Sequence, residues 1–287
     1  MIPQSFQLPH ETLKKLQQLR VHLRKAALGG RQGFHKSIRK GHGLEFSEFK
    51  AYSPGDDFRS LDWNAYARTD RLYTRIYQEE QDVKVLLILD YSNSLHTSTL
   101  AKSITLALAY VTLNSGDRVS LLLPGVHQSA WSASPAAYHL IVKTLENEQT
   151  TKENELFSSI MRATSSVKLP GKVFLISDFL FPLEEVEQTL EFLYRKHFEC
   201  ALVAIDTLPE YPAEQNTSFI DSETGETIDS GSLSSKEIML LKNLHDKHFS
   251  ELERLARKLR FTLEIVKSNS VLDQVLFEDF IRGGIFR

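Results

Sequence analysis

KVLLILDYSNSL, Lys84 to Leu95, is the stretch whose reading decides the fold. Val85-Leu86-Leu87-Ile88-Leu89 is an unbroken apolar run with the branched content of a strand buried on both faces. It stops at Asp90, after which Asp90, Ser92 and Ser94 alternate with other residues. Open α/β sheets hold ligands in the crevice outside the carboxyl ends of their strands. A carboxylate and two hydroxyls at such an end therefore face the place where the sheet would do its work.

Further strands are read downstream at Val119–Leu123, Val173–Ile176, Ala201–Ile205 and Phe261–Val266. The third of the five runs into Ser177-Asp178 and the fourth into Asp206, repeating the pattern of apolar strand followed by carboxylate. Helical patterns separate them. One covers about 100–114, capped by Ser98 or Thr99, with Ile104, Leu108 and Val111 inward. Others are expected over 135–145 and 153–163, and from Pro182 with Val186, Leu190 and Leu193 on the core face. A long helix is expected over Ser235–Lys258, striped by Leu241, Leu244, Leu252, Leu255 and Leu259, and a closing one over 271–281. Gln128–Ser132 reads as a short antiparallel edge strand and 219–227 as a surface hairpin. Strands alternating with helices imply an α/β fold with a doubly wound, mostly parallel, Rossmann-like sheet over residues 83–287.

Residues 1–82 read as an N-terminal helix and a decorated extension packed on that domain. The helix is expected from Pro9 to about Ala27, with Leu13, Leu16, Leu19 and Leu23 on one face and Gly29-Gly30 ending it. Residues 29–82 are dense in Gly, Arg, Asp and aromatics, which favours short strands and ordered loops. Pro54-Gly55 suits a type II turn. Asp56, Asp57 and Asp62 with Arg59 and Arg68 suggest an Arg–carboxylate network. Leu72–Tyr77 alternates as a strand would.

Composition excludes several functions. Of 287 residues, 41% are apolar and 25% charged, as in a globular protein, and the net charge of −3 implies neither a nucleic-acid nor a membrane partner. From Lys14 to Lys40 there are nine Lys and Arg and no Asp or Glu. Without interleaved exposed aromatics of the kind that stack bases, that block reads as a solvated basic face in preference to a nucleic-acid site. The single cysteine, Cys200, leaves no internal disulfide or cysteine-rich metal site and reads as a small core hydrophobe. No stretch has the 18 or more apolar residues of a membrane span, so a cytoplasmic protein without direct membrane insertion is expected.

Asp90, Ser92 and Ser94 offer the hard oxygen donors that suit Mg²⁺, with Mn²⁺ or Ca²⁺ as alternatives, and Asp178 could assist from the next strand end. Catalytic patterns fit poorly. An aspartate-nucleophile phosphatase would want a carboxylate where Ser92 stands, and no Gly-x-Ser-x-Gly elbow occurs. Neither Gly-x-Gly-x-x-Gly nor a Walker P-loop is present, and the histidines make no His-Glu-x-x-His. His35 and His42 read as loop residues more than zinc ligands.

Ordered motifs carry a resemblance. They are Gly41-x-Gly43-x-Glu45-Phe46, Tyr52-Ser53-Pro54-Gly55-Asp56-Asp57-x-Arg59-x-Leu61-Asp62-Trp63 and Ala67-Arg68, then Asp90-x-Ser92-x-Ser94, Gly116-Asp117-Arg118, Ser177-Asp178-Phe179 and Glu223-Thr224-Gly225-Glu226. The chain resembles the domain of unknown function 58 (DUF58) family, whose members contain a von Willebrand factor A-like domain and are often encoded beside MoxR-type AAA+ ATPases. The resemblance implies that Asp90, Ser92 and Ser94 form the first loop of a metal-ion-dependent adhesion site and that Asp178 is its later aspartate. The threonine usual in such a site has no clear counterpart: Thr150, Thr151 and Asn154 lie nearby, with Asn154 at the expected place. It also implies a non-catalytic, metal-assisted protein-binding module, an adaptor or assembly factor for a MoxR-type ATPase or for a protein that completes the coordination with a carboxylate. The rival readings are a metal-independent structural interaction protein and a metal-dependent phosphoester hydrolase.

Overall fold

The computed structural model describes residues 7–22, 44–79, 83–92, 95, 98–147, 156–165, 167, 171–207, 219–220, 227–228 and 235–287. The chain divides into a large unit, 1–30 with 83–287, and a small unit, 31–82. The first helix, α1 (His10–Leu16), thus belongs with the large unit and not with the extension it precedes in sequence.

In the small unit, β1 (Leu44–Ala51) pairs antiparallel with β2 (Tyr73–Glu79), with a register shift between Phe46 and Glu48. Between them runs α2 (Trp63–Thr69). Asp56 N–H bonds to the Ser53 carbonyl at 3.0 Å around Pro54-Gly55, and Gly55 has φ +106°. That is a type II turn, whose third residue needs the positive φ that glycine adopts without strain. The carboxylates expected to pair with arginines are largely engaged in capping. Asp57 accepts from the Arg59 amide, Asp62 caps α2 through the amides of Asn64 and Ala65, and Asp56 takes Lys50. Arg68 gives its Nε to the Asn64 carbonyl. Helix and turn starts present unsatisfied N–H groups that a short carboxylate reaches without ordering a long arginine.

The large unit continues in chain order through β3 (Lys84–Leu89), α3 (Thr99–Asn114), β4 (Arg118–Leu123), β5 (His127–Gln128), α4 (Ala136–Asn147) and α5 (Leu156–Ser165). Then come β6 (Lys172–Ser177), α6 (Leu183–Arg195), β7 (Glu199–Asp206), the pair β8 (Phe219–Ile220) and β9 (Thr227–Ile228), α7 (Ser235–Lys258) and β10 (Thr262–Lys267). A closing helical segment follows, Leu272–Gln274 and Phe280–Arg282 joined by a π-helical turn at Val275–Asp279. The six-stranded sheet has the order β10-β7-β6-β3-β4-β5, parallel except for β5 at the edge. The protein is therefore a mixed α/β fold with a mostly parallel central sheet.

Alternation along β3 explains its unbroken apolar run. Val85, Leu87 and Leu89 join a core with Leu16 of α1, Ile104 of α3, Ile141 of α4 and Phe280. Leu86 and Ile88 join the opposite core with Ile160 of α5, Leu190 of α6 and Leu252 of α7. A strand covered by helices on both faces has no side to leave polar. Each such fully buried side chain contributes about 1.5–3 kcal/mol. Gly171, entering β6, lies so close to β3 that a Cβ there would stand 1.9 Å from the Lys84 carbonyl oxygen.

Two helices differ from their expected form. α1 stops at Leu16, and the following residues pair with the C-terminal segment. Arg20 and Arg287 exchange backbone hydrogen bonds at 3.0 Å, His22 N–H donates to the Ile285 carbonyl, and Val21 bridges Phe286. Here tertiary pairing overrides a helical leucine spacing; residues 23–27 lie outside the described residues. In α7, Leu252 and Leu255 are buried as expected, as is Leu259 just after it, but Leu241 and Leu244 are exposed, because only the C-terminal half reaches the core. At the amino end of β6, Lys172 is 1% exposed, pairs with Glu199 at 3.2 Å and donates to the His22 carbonyl.

Candidate functional site

The parallel register pairs Leu89 of β3 with Ile176 of β6, and Asp90 N–H extends the ladder to the Ile176 carbonyl at 2.9 Å. Asp90 and Ser177 are thus the next residues outward on adjacent strands. From β3 the chain passes to α3 on one face, and from β6 to α6 on the other. The two connections leave in opposite directions, so the crevice between these strand ends is the topological switch point of the sheet.

Hydrogen bonds order this end. Ser177, fully buried, donates its Oγ–H to Asp90 Oδ2 at 2.8 Å, and the Ser92 amide donates to Asp90 Oδ1 at 3.2 Å. Burial raises the Asp90 carboxyl from its ordinary 3.8 to about 6. The neighbouring Asp178 carboxylate pushes in the same direction, while the bonds from Ser177 and from the Ser92 amide and hydroxyl oppose it. Ser98, just downstream, caps α3 by accepting from the Ala101 amide.

Asp178 is 4% exposed and accepts from the Leu180 amide at 3.2 Å. Phe179 follows with φ 55°, a left-handed conformation uncommon outside glycine. Three tethers hold it. Its ring is buried in the core, its N–H donates to Ser177 Oγ at 2.9 Å, and its carbonyl lies 2.7 Å from His248 Nε2. A carbonyl only accepts, so Nε2 carries the proton in that bond. One turn earlier in α7, His245 Nε2 meets Asp206 Oδ1 at 3.1 Å, at the end of β7.

The structure therefore gathers Asp90, Ser92 and Asp178 at one crevice, whereas Ser94, Asn154, Thr150 and Thr151 lie outside the described residues. The donor set is two carboxylates and hydroxyls, a hard-oxygen combination that fits Mg²⁺. The raised Asp90 carboxyl fits it too, since a cation would offset the cost of ionising beside a second carboxylate. Among the described residues no group of three or more His, Cys, Asp and Glu gathers as a metal site, so hydroxyls and waters would have to supply the balance. Sequence reasoning assigned no role to Ser177 or His248. Ser177 ends an apolar strand as Asp90 does, but its part in the site follows from the adjacency of β3 and β6. Nothing local marks His248, which lies some seventy residues from its partner.

A family model described as "Protein of unknown function DUF58" matches residues 48–237. The uncharacterized protein Rv1480 of Mycobacterium tuberculosis (strain ATCC 25618 / H37Rv) is 25% identical over 226 residues, covering 73% of this chain and 70% of its own length. The uncharacterized protein Mb1516 of Mycobacterium bovis matches to the same extent. Among solved structures, BatB from Bacteroides thetaiotaomicron matches 70% of this chain and 98% of its own, with 15% identity and a TM-score of 0.42. An aerotolerance-related membrane protein from Bacteroides fragilis matches 67% and 96%, with 16% identity and a TM-score of 0.37. At those scores the two structures carry no argument about this site. No helix among the described residues is long and apolar enough to cross a membrane.

Proposed function

The chain belongs to the DUF58 family, whose description assigns no activity, and we propose from its own residues that it is a non-catalytic protein-binding module assisted by a divalent cation. The observation that carries this reading is the pairing of Asp90 and Asp178 at the switch point, with Ser177 and Ser92 bonded to the Asp90 carboxylate. Mg²⁺ would be held by Asp90, Ser92 and Asp178, with Ser94 and Asn154 as the further donors that the resemblance to von Willebrand A-like adhesion sites suggests. When bound, the cation supplies open positions for a carboxylate of the partner. The protein's own groups orient it: Ser177 fixes the rotamer of Asp90, and the Leu180 amide that of Asp178. The same resemblance supports a role as adaptor or assembly factor for a MoxR-type AAA+ ATPase. The setting that goes with this role is cytoplasmic.

Calorimetric titration with MgCl₂ and MnCl₂ tests the metal. The wild type is expected to bind at least one, and Asp90→Ala neither. Affinity purification with and without chelator tests the partner: a MoxR-type ATPase should be retained by the wild type and lost with chelator or with Asp90→Ala. Metal-independent binding is the second reading, favoured by the donor count among the described residues. It predicts a partner retained in chelator and no heat of metal binding.

A further inference from the structure

The hydrogen bonds at the switch point form a continuous path into α7, a helix that supplies no ligand. His248 Nε2–H donates to the Phe179 carbonyl at 2.7 Å, Phe179 N–H donates to Ser177 Oγ at 2.9 Å, and Ser177 Oγ–H donates to Asp90 Oδ2 at 2.8 Å. Phe179 is the middle of this path and the least comfortable member of it. A non-glycine residue in the left-handed region is strained and persists only where its surroundings over-determine it. Without the donor on its carbonyl, Phe179 can relax toward negative φ. That rotation would move its amide off Ser177 and turn Asp178, the residue before it. Both carboxylates of the site therefore depend on the same imidazole, Asp178 through the chain and Asp90 through Ser177.

We infer that His248 is the positioning residue of the Asp90–Asp178 site, fixing the Asp178 turn and the Asp90 rotamer from α7. The inference rests on the metal-binding reading above and adds to it a residue that touches no metal. His245, bonded to Asp206, holds the preceding turn of α7 on the same edge of the sheet. The helix that carries His248 is thereby kept at a fixed height over the crevice.

The test compares wild type, His248→Ala, His248→Gln and Asp90→Ala by Mn²⁺ calorimetry and by hydrogen exchange of the 177–181 segment. Residues that orient metal ligands typically cost about 10–100-fold in affinity when removed. His248→Ala is expected to lose affinity on that scale and to exchange faster at the Phe179 and Leu180 amides. His248→Gln, whose amide NH₂ can donate to the same carbonyl, is expected to restore most of the affinity and the protection. If the wild type binds Mn²⁺ and His248→Ala binds it equally well, the inference is overturned and the metal-binding reading stands. An equal loss in His248→Ala and His248→Gln also overturns it, since that pattern reports general packing and not a hydrogen bond. If wild type and Asp90→Ala are both inert to Mn²⁺, the metal-binding reading fails and the inference goes with it.

Discussion

Asp90 is held in a place that does not favour its charge. Its carboxyl titrates near 6 in the folded protein and near 3.8 when unfolded. The folded state therefore keeps a proton that the unfolded state has lost between those values, and the contribution of Asp90 to stability falls as pH rises through that window. Below about pH 4 the group makes no difference; above about pH 6 it costs up to about 3 kcal/mol. Asp90→Asn in chelator is thus expected to raise the urea midpoint at pH 7.5 and to leave it unchanged at pH 4. The reverse pattern would mean that burial does not govern this carboxyl. The residue was legible in the sequence because Asp90 ends an apolar run, and position plus chemistry is a local signal. Its immediate partners were less so. Ser177 depends on which strands are neighbours, and His248 on a helix placed over the strand end by tertiary packing.

At the scale of elements, the parallel strands were readable because burial on both faces leaves unbroken apolar runs, as in Val85–Leu89 and Val173–Ile176. What the sequence could not convey is which part of a periodic stripe meets a neighbour. Leu241 and Leu252 share a pattern in α7, yet only the second is buried. The amino end of β6 shows the same dependence on context. Lys172 precedes the apolar run yet is enclosed, with its ammonium on Glu199 and on the His22 carbonyl and lying 5.2 Å from the Phe174 ring. Removing one partner of a buried pair typically costs about 3–5 kcal/mol. Lys172→Met should destabilise by that order in urea unfolding, and adding Glu199→Gln should recover part of the loss. A neutral Lys172→Met would show that the pair is dispensable.

Across the whole molecule, the large unit draws on both ends of the described chain. Leu8, Leu16 and Val21 are each buried in the core shared with Val85 and Phe280. At about 1.5–3 kcal/mol apiece, their removal would take away about 5–9 kcal/mol, comparable with the entire stability of many domains. Deleting residues 1–22 should therefore lower the urea midpoint sharply or abolish the cooperative transition, which tryptophan fluorescence and circular dichroism would report. A deletion variant with an unchanged midpoint would show that this segment is peripheral. By its contacts α1 belongs to the unit whose strands begin at Lys84.

The ladder between Arg20–His22 and Ile285–Arg287 has a consequence for synthesis. His22 is synthesised more than 260 residues before Ile285. At about 5–20 residues per second, the early segment waits roughly 15–50 s for its backbone partners. During that interval Val21 lacks Phe286, its partner across the isolated bridge. Chaperone dependence during translation, relieved once residue 287 has been made, is the outcome expected from that wait.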